Sequence, residues 1–146
     1  MSLPSLAPHH APHDRFDAIV LGRGPSGTLL GAALAQRGVR TALVGPDGPW
    51  TARYADWEDR LEAAGLGDCV EARWDTTDVH TGGACVHRID AAYARLDNEV
   101  LRARLAQTVL AHGGDLVADR AVHAEHEVDS RGEHRVPLSG GRVLHA

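Results

Sequence analysis

The feature that most constrains this chain is a Gly22-x-Gly24-x-x-Gly27 turn set between an apolar run and a helix-forming segment. Residues 16–21 end in Ile19-Val20-Leu21, a continuous β-branched and apolar run of the kind found in strands buried on both faces. The glycines pass directly into Leu30-Gly31-Ala32-Ala33-Leu34-Ala35-Gln36, which is rich in helix formers. A strand, a glycine turn and a helix in that order open a dinucleotide-binding βαβ unit. In such a unit Gly22 makes the tight turn, Gly24 lets backbone approach a pyrophosphate, and Gly27 lets the helix press on the sheet. Gly31 and Ala35 continue the small face along the helix. Free N–H groups at the helix start, with the positive end of its dipole, then hold the phosphates. No lysine is needed for this, and the chain has none. No Gly-Lys-Ser/Thr follows the turn, so a Walker-type loop is excluded.

A second strand is predicted over 40–44. An acidic residue that binds a ribose hydroxyl is expected at its end, about 20 positions after the turn. That place is Gly45, followed by Pro46-Asp47-Gly48. Asp47 has two readings: a ribose ligand acting from two residues further on, or the turn residue of a Pro-Asp-Gly sequence.

With 43% apolar and 24% charged residues, the 146-residue chain has the composition of a soluble globular protein of one domain. Fifteen arginines against 20 acidic residues give a net charge of −5, which argues against nucleic acid as a partner. Cys69 and Cys85 fit incidental thiols in a reducing, cytoplasmic compartment. There is no Cys-x-x-Cys, and the ten histidines are spread along the chain, so no metal site is expected. Residues 1–15, rich in Pro and His, read as a disordered tail without a targeting pattern. No run approaches 18 apolar residues.

Further along, residues 52–64 read as a helix with Tyr54, Trp57, Leu61 and Ala64 on one face, closed by a Gly65-Leu66 cap. Residues 67–92 read as irregular, apart from a short strand over 85–89. Asp97 or Asn98 caps a helix over 99–112 carrying Leu101, Leu105 and Val109, and Gly113-Gly114 ends it. A third parallel strand is expected over 116–118. Residues 121–128, 134–138 and 142–145 read as an antiparallel meander. The order defines an α/β nucleotide-binding core with a meander attached. A two-halved nucleotide fold needs further parallel strands, and residues 143–146 stop in what reads as mid-strand. An incomplete fold and a truncated chain are therefore expected.

Three segments together resemble the flavin-dependent lycopene cyclases, which form the β-rings of carotenoids. The first is the turn itself, Asp17-Ala-Ile-Val-Leu-Gly-Arg-Gly-Pro-Ser-Gly27. The second, Tyr54-Ala-Asp-Trp57-Glu-Asp-Arg-Leu-Glu62-Ala-Ala-Gly-Leu66-Gly-Asp68-Cys69 with Trp74, is similar to that family's Tyr-x-x-Trp, Glu-Ala-x-Gly-Leu-x-Asp-Cys and downstream Trp. The third is Tyr93-Ala-Arg-Leu96 with Leu101 and Leu105, similar to Tyr-x-Arg-Val/Leu and Leu-x-x-x-Leu. The chain departs from the family at Gly45, where plant-type members carry an acid, and at Asn98, where an Arg is frequent.

The resemblance implies a Rossmann-like FAD-binding fold, βαβ with an antiparallel β-meander. Residues 16–146 would form the N-terminal part of an FAD/NAD(P)-binding domain. It implies FAD used in reduced form, with NAD(P)H as a candidate reductant. The implied reaction is a non-redox isomerisation: protonation of the ψ-end of lycopene, closure of the cation to a six-membered ring, and loss of a proton. The carotenoid substrate's insolubility leaves a peripheral membrane contact open. Gly22, Gly24 and Gly27 are the cofactor-binding candidates for the pyrophosphate, with Asp47 for the ribose. The family's acidic cluster lies downstream of this segment, so no catalytic residue is assigned. Glu58 and Asp59 are available carboxylates that read equally as solvated helix-surface charges. Two rivals stand beside this reading: an FAD-dependent oxidoreductase of hydroxylase or geranylgeranyl-reductase type, and a truncated nucleotide-binding domain without activity.

Overall fold

The computed structural model describes residues 14–83, 85–122, 127–128 and 132–146. In chain order the elements are β1 (Ala18–Leu21), α1 (Pro25–Ala35), β2 (Thr41–Val44), β3 (Ala55–Trp57), α2 (Glu58–Ala63), a 3-10 turn (Gly67–Cys69), β4 (Val70–Trp74), β5 (Thr77–His80), β6 (Val86–Ile89), β7 (Tyr93–Leu96), α3 (Asn98–Ala111), β8 (Asp115–Val117), β9 (Glu127–Val128), β10 (His134–Pro137) and β11 (Val143–His145). They fall into two units, residues 1–47 with 108–146, and residues 48–107.

The first unit carries the nucleotide-type core. Strands β1, β2 and β8 form a parallel sheet in the order β1-β2-β8, with Val20 opposite Leu43 and Leu43 opposite Leu116. All four residues of β2 are buried, as expected of the middle strand of a sheet covered on both faces. Helix α1 lies on this sheet through small side chains. Ala35 is fully buried, and a Cβ on Gly31 would sit 3.7 Å from both Leu43 and Val109, so only a very small residue keeps the helix this close. Strands β9, β10 and β11 form the antiparallel meander, paired β11-β10-β9. Its Leu138 and Leu144 join Phe16, Ala42, Val44 and Val117 in one buried cluster. The parallel β1–α1–β2 unit, the third strand and the meander thus match the α/β class expected. Residues 123–126 and 129–131 of the expected meander, and residues 1–13 of the expected tail, lie outside the described residues.

The second unit differs from the expected single helix over 52–64. Residues 55–57 are instead a strand, β3, paired antiparallel with β7, with Trp57 opposite Tyr93. Their rings meet edge-on at 5.2 Å, and this cross-strand contact holds Trp57 in the sheet. Only α2 remains helical, and its end is the predicted one. Gly65, at φ +68°, donates to Glu62 O while Leu66 donates to Leu61 O, a Schellman closure. Within the stretch 67–92 the expected strand over 85–89 is β6, whereas two strands stand where irregular chain was expected: β4, which pairs with β7 through a bulge between Val70 and Ala72, and β5, which forms a hairpin with β6. Helix α3 starts where Asp97 Oδ1 accepts the N–H groups of Glu99 and Val100, so of the two cap candidates the aspartate caps and Asn98 is the first helical residue.

Candidate functional site

The site is built at the C-terminal ends of β1 and β2, where the chain turns into α1. Gly22 has φ +110°, a conformation that a side chain resists. Its N–H donates to Val44 O at 2.7 Å, tying the turn to the neighbouring strand. A Cβ on Gly27 would lie 2.0 Å from Gly22 O, so this glycine is fixed by the close approach of helix and turn. Gly24 precedes the helix as its cap, and nothing lies within 4 Å of where its Cβ would be. The open space above Gly22 and Gly24 is the cradle a pyrophosphate would fill.

The donors face that cradle. Pro25 at the first helical position has no N–H, and Thr28 N and Oγ1 both donate to Gly24 O at 2.9 Å. The N–H groups of Ser26 and Gly27 are those that an α-helix leaves without an intrahelical acceptor. The first turn has no acidic residue and no side-chain cap. An anion therefore meets free donors and the helix dipole with nothing already neutralising them. The residues present fit the diphosphate of FAD. Gly22, Gly24 and Gly27 come together as the spacing predicts.

Asp47 stands apart from them. Its carboxylate is mostly exposed and pairs with Arg23 at 3.3 Å, whereas the Arg23 side chain is only 15% exposed. Beside the turn lies an open pocket of about 340 Å3, lined by Leu21, Gly22, Val44, Gly45, Asp119 and Arg120 with their neighbours. Asp47 does not line it. Gly45 is there because a Cβ would lie 2.8 Å from Arg23 N, and 3.2 Å from its Cγ. The acid absent from this position thus has no room.

Sequence reasoning missed Asp119, which follows β8 by two residues. Its carboxylate accepts hydrogen bonds from Ser139 Oγ, Arg120 N at 2.7 Å and Gly140 N at 3.0 Å. These donors hold its carboxyl below the usual carboxylate range, Ser139 first. The signal available in sequence was its place just beyond the third parallel strand, where ligands gather in open α/β sheets.

In the second unit Glu58 pairs with Arg73 at 2.7 Å, and Asp59 Oδ1 accepts the Arg60 N–H. Both carboxylates are therefore engaged in local contacts, Glu58 half-buried and Asp59 exposed. Asn98 Nδ2 donates to Trp50 O at 2.8 Å and Ala52 O at 2.7 Å, a backbone clamp. Cys69 and Cys85 are free thiols, and Cys85 Sγ lies 3.7 Å from His87 Nε2. Among the described residues no three His, Cys, Asp or Glu side chains gather as metal ligands, and no helix is long and apolar enough to cross a membrane.

A parallel sheet, a glycine turn and a meander in this order define the Rossmann-like fold of FAD-dependent monooxygenases. Solved structures bear this out: a probable FAD-dependent monooxygenase from Pseudomonas aeruginosa, pqsL, matches at TM-score 0.68 and 20% identity over 89% of this chain and 40% of its own. The tetrameric 2-methyl-3-hydroxypyridine-5-carboxylic acid oxygenase matches at 0.60 and 23% over 93% and 38%. Within this fold the sequence is more specific. The model of the lycopene cyclase protein family matches residues 17–146, and the chain belongs to that family. Curated relatives include a chloroplastic lycopene beta cyclase of Nicotiana tabacum, 26% identical over 76% of this chain and 23% of that protein. A chloroplastic neoxanthin synthase of Solanum tuberosum is 27% identical over 84% and 25%, and a chromoplastic capsanthin/capsorubin synthase of Capsicum annuum 26% over 77% and 23%. The chain spans about a quarter of the length of these relatives.

Proposed function

We propose that this chain is the FAD-binding segment of a lycopene cyclase, acting in the non-redox closure of lycopene ψ-ends to β-rings. The observation that carries the reading is the open, undercapped cradle at Gly22, Gly24 and the start of α1, in a chain of the lycopene cyclase family. Its own residues bind and orient: the N–H groups of Ser26 and Gly27 take the pyrophosphate, and Gly27 fixes the helix against the turn. When bound in reduced form, flavin supplies an electron-rich ring that favours a developing carbocation. NAD(P)H is the proposed reductant, and the carotenoid is the proposed substrate. The proposed place of action is the cytoplasm, in peripheral contact with the membrane that dissolves the carotenoid.

Titration of the purified chain with FAD, followed by flavin fluorescence, tests the cofactor. Saturable binding that is lost in Gly27→Ala is expected, and a chain that leaves flavin fluorescence unchanged defeats the reading. Co-expression in a lycopene-producing bacterial host, with and without a downstream continuation of the coding frame, tests the reaction through the pigments formed. Appearance of β- or γ-carotene supports the cyclase. The rival is a flavin oxidoreductase, favoured by the monooxygenase fold of the structural neighbours. Substrate-dependent oxidation of NAD(P)H with unchanged lycopene would favour it.

A further inference from the structure

The acid that usually binds the adenosine ribose at the end of the second strand is missing here, and the structure shows both why and what stands in its place. The position is Gly45, and a Cβ there would strike Arg23 N at 2.8 Å. Asp47, the nearest acid in sequence, turns to Arg23 and lies outside the pocket. Asp119 lines that pocket with the strand ends, and we infer that its carboxylate is the acceptor for one hydroxyl of the adenosine ribose in a bound dinucleotide. The inference rests on the reading of the glycine turn as the pyrophosphate site.

Four features carry it. Asp119 lines the same pocket as Gly22 of the glycine turn and Gly45, which stands at the position of the absent acid. Its carboxylate is anchored by Ser139 Oγ, Arg120 N and Gly140 N, so it meets a ligand without first losing side-chain freedom. Those three bonds leave acceptor capacity, because an ionised carboxylate offers about four lone-pair sites. The pocket walls of Leu21, Val44 and Ala121 are apolar and suit an adenine ring beside the ribose. Arg120 also lines the pocket, and a guanidinium there would attract a phosphate on the ribose. The fixed carboxylate next to it repels one, so the ligand class assigned is an unphosphorylated adenosine ribose, as in FAD.

The test is a comparison of ligands as well as of variants. The full chain is titrated by calorimetry with FAD, ADP, 2′,3′-dideoxy-ADP and ADP carrying a 2′-phosphate. The wild-type chain is expected to bind ADP about tenfold more tightly than the dideoxy form, the worth of a hydrogen bond to a charged group. Asp119→Asn is expected to erase that preference, whereas Asp47→Asn retains it. Loss of overall fold would weaken both ligands alike, so the ratio reports the ribose contact alone. Should Asp119→Asn not fold, Ser139→Ala, which loosens the carboxylate without removing it, is expected to lower the ratio about threefold. A ratio unchanged in the folded Asp119→Asn chain, a ratio lost in Asp47→Asn, or tighter binding of the 2′-phosphate overturns the inference while leaving FAD binding in place. Failure of the wild-type chain to bind FAD at all overturns the flavin reading and this inference with it.

Discussion

The amide nitrogen of Arg23 lies 2.8 Å from the point that a Cβ on Gly45 would occupy. The backbone of the second residue of the glycine turn therefore excludes a side chain from the residue that follows β2. Putting an acid back at position 45 should fail to improve flavin affinity. Gly45→Asp is expected to destabilise the chain by about 1–3 kcal/mol, the range for forcing atoms into filled space. Thermal unfolding with and without FAD checks this, and a variant more stable and tighter-binding than wild type would contradict it.

Gly27 is under a harder constraint. A Cβ 2.0 Å from Gly22 O cannot be relieved by rotating a side chain, because the opposing atom is backbone in a turn held by Val44 O. Helix α1 must lift from the sheet. Gly27→Ala is expected to cost at least about 3 kcal/mol, the upper range of overpacking, and to abolish FAD binding. Gly24→Ala is the informative partner: nothing lies within 4 Å of its Cβ position, so the fold should hold while the methyl intrudes on the ligand. Circular dichroism and FAD titration of the two variants should thus separate, with Gly24→Ala folded but weak-binding.

That pair shows what was legible in the sequence. The turn, α1, the strands β2 and β8 and the cap at Gly65 were readable because their determinants lie within a few residues: a glycine where φ is positive, an apolar run, a helix stop. Strand β3 was not, because Trp57 has a helix-like spacing to Leu61, and its true partner, Tyr93, is 36 residues away by number. Strands β4 and β5 were missed for the same reason, their registers being set across the chain, whereas β6 falls where a strand is expected over 85–89. The site divides likewise. Gly22, Gly24 and Gly27 announce themselves as a spacing, whereas Asp119 reaches the pocket only through a fold that brings residues 22, 45 and 119 together.

Asp119 also predicts an acid-limb effect on stability. Hydrogen bonds from Ser139, Arg120 and Gly140 depress its folded-state pKa below the unfolded value, near 3.9. The stabilisation is then complete above the unfolded pKa and is lost as pH falls through the lower, folded one. Thermal midpoints of wild type should drop on moving from pH 5 towards pH 2 more steeply than those of Asp119→Asn. Parallel slopes would show that the carboxylate's charge contributes nothing to the turn at Ser139–Gly140.

Helix α3 offers a separable test at its first turn. Asp97 Oδ1 accepts two backbone N–H groups, from Glu99 at 2.9 Å and Val100 at 3.0 Å, satisfying donors the helix cannot. Asp97→Ala should cost about 1 kcal/mol, as typical cap removals do, and Asp97→Asn, which keeps an acceptor oxygen, clearly less. Urea unfolding of the three proteins measures the order.

The neighbouring Asn98 holds the loop at Trp50 and Ala52 rather than the helix. Both hydrogens of its amide are donated, at 2.8 Å to Trp50 O and 2.7 Å to Ala52 O, which also fixes the orientation of the amide. Its oxygen is buried without a hydrogen-bond partner. Removing the side chain leaves two carbonyls short of donors, so Asn98→Ala should destabilise by about 1–3 kcal/mol. Asn98→Asp should be worse at neutral pH, because an ionised carboxylate has no proton to give and faces two carbonyl oxygens. Protonation restores one donor, so the Asp variant should regain stability relative to wild type as pH falls below about 5, the opposite trend to that at Asp119. Hydrogen exchange at residues 50–54 reads the clamp directly. Protection equal in wild type and Asn98→Ala would mean that the loop is held by other contacts and that Asn98 is dispensable there.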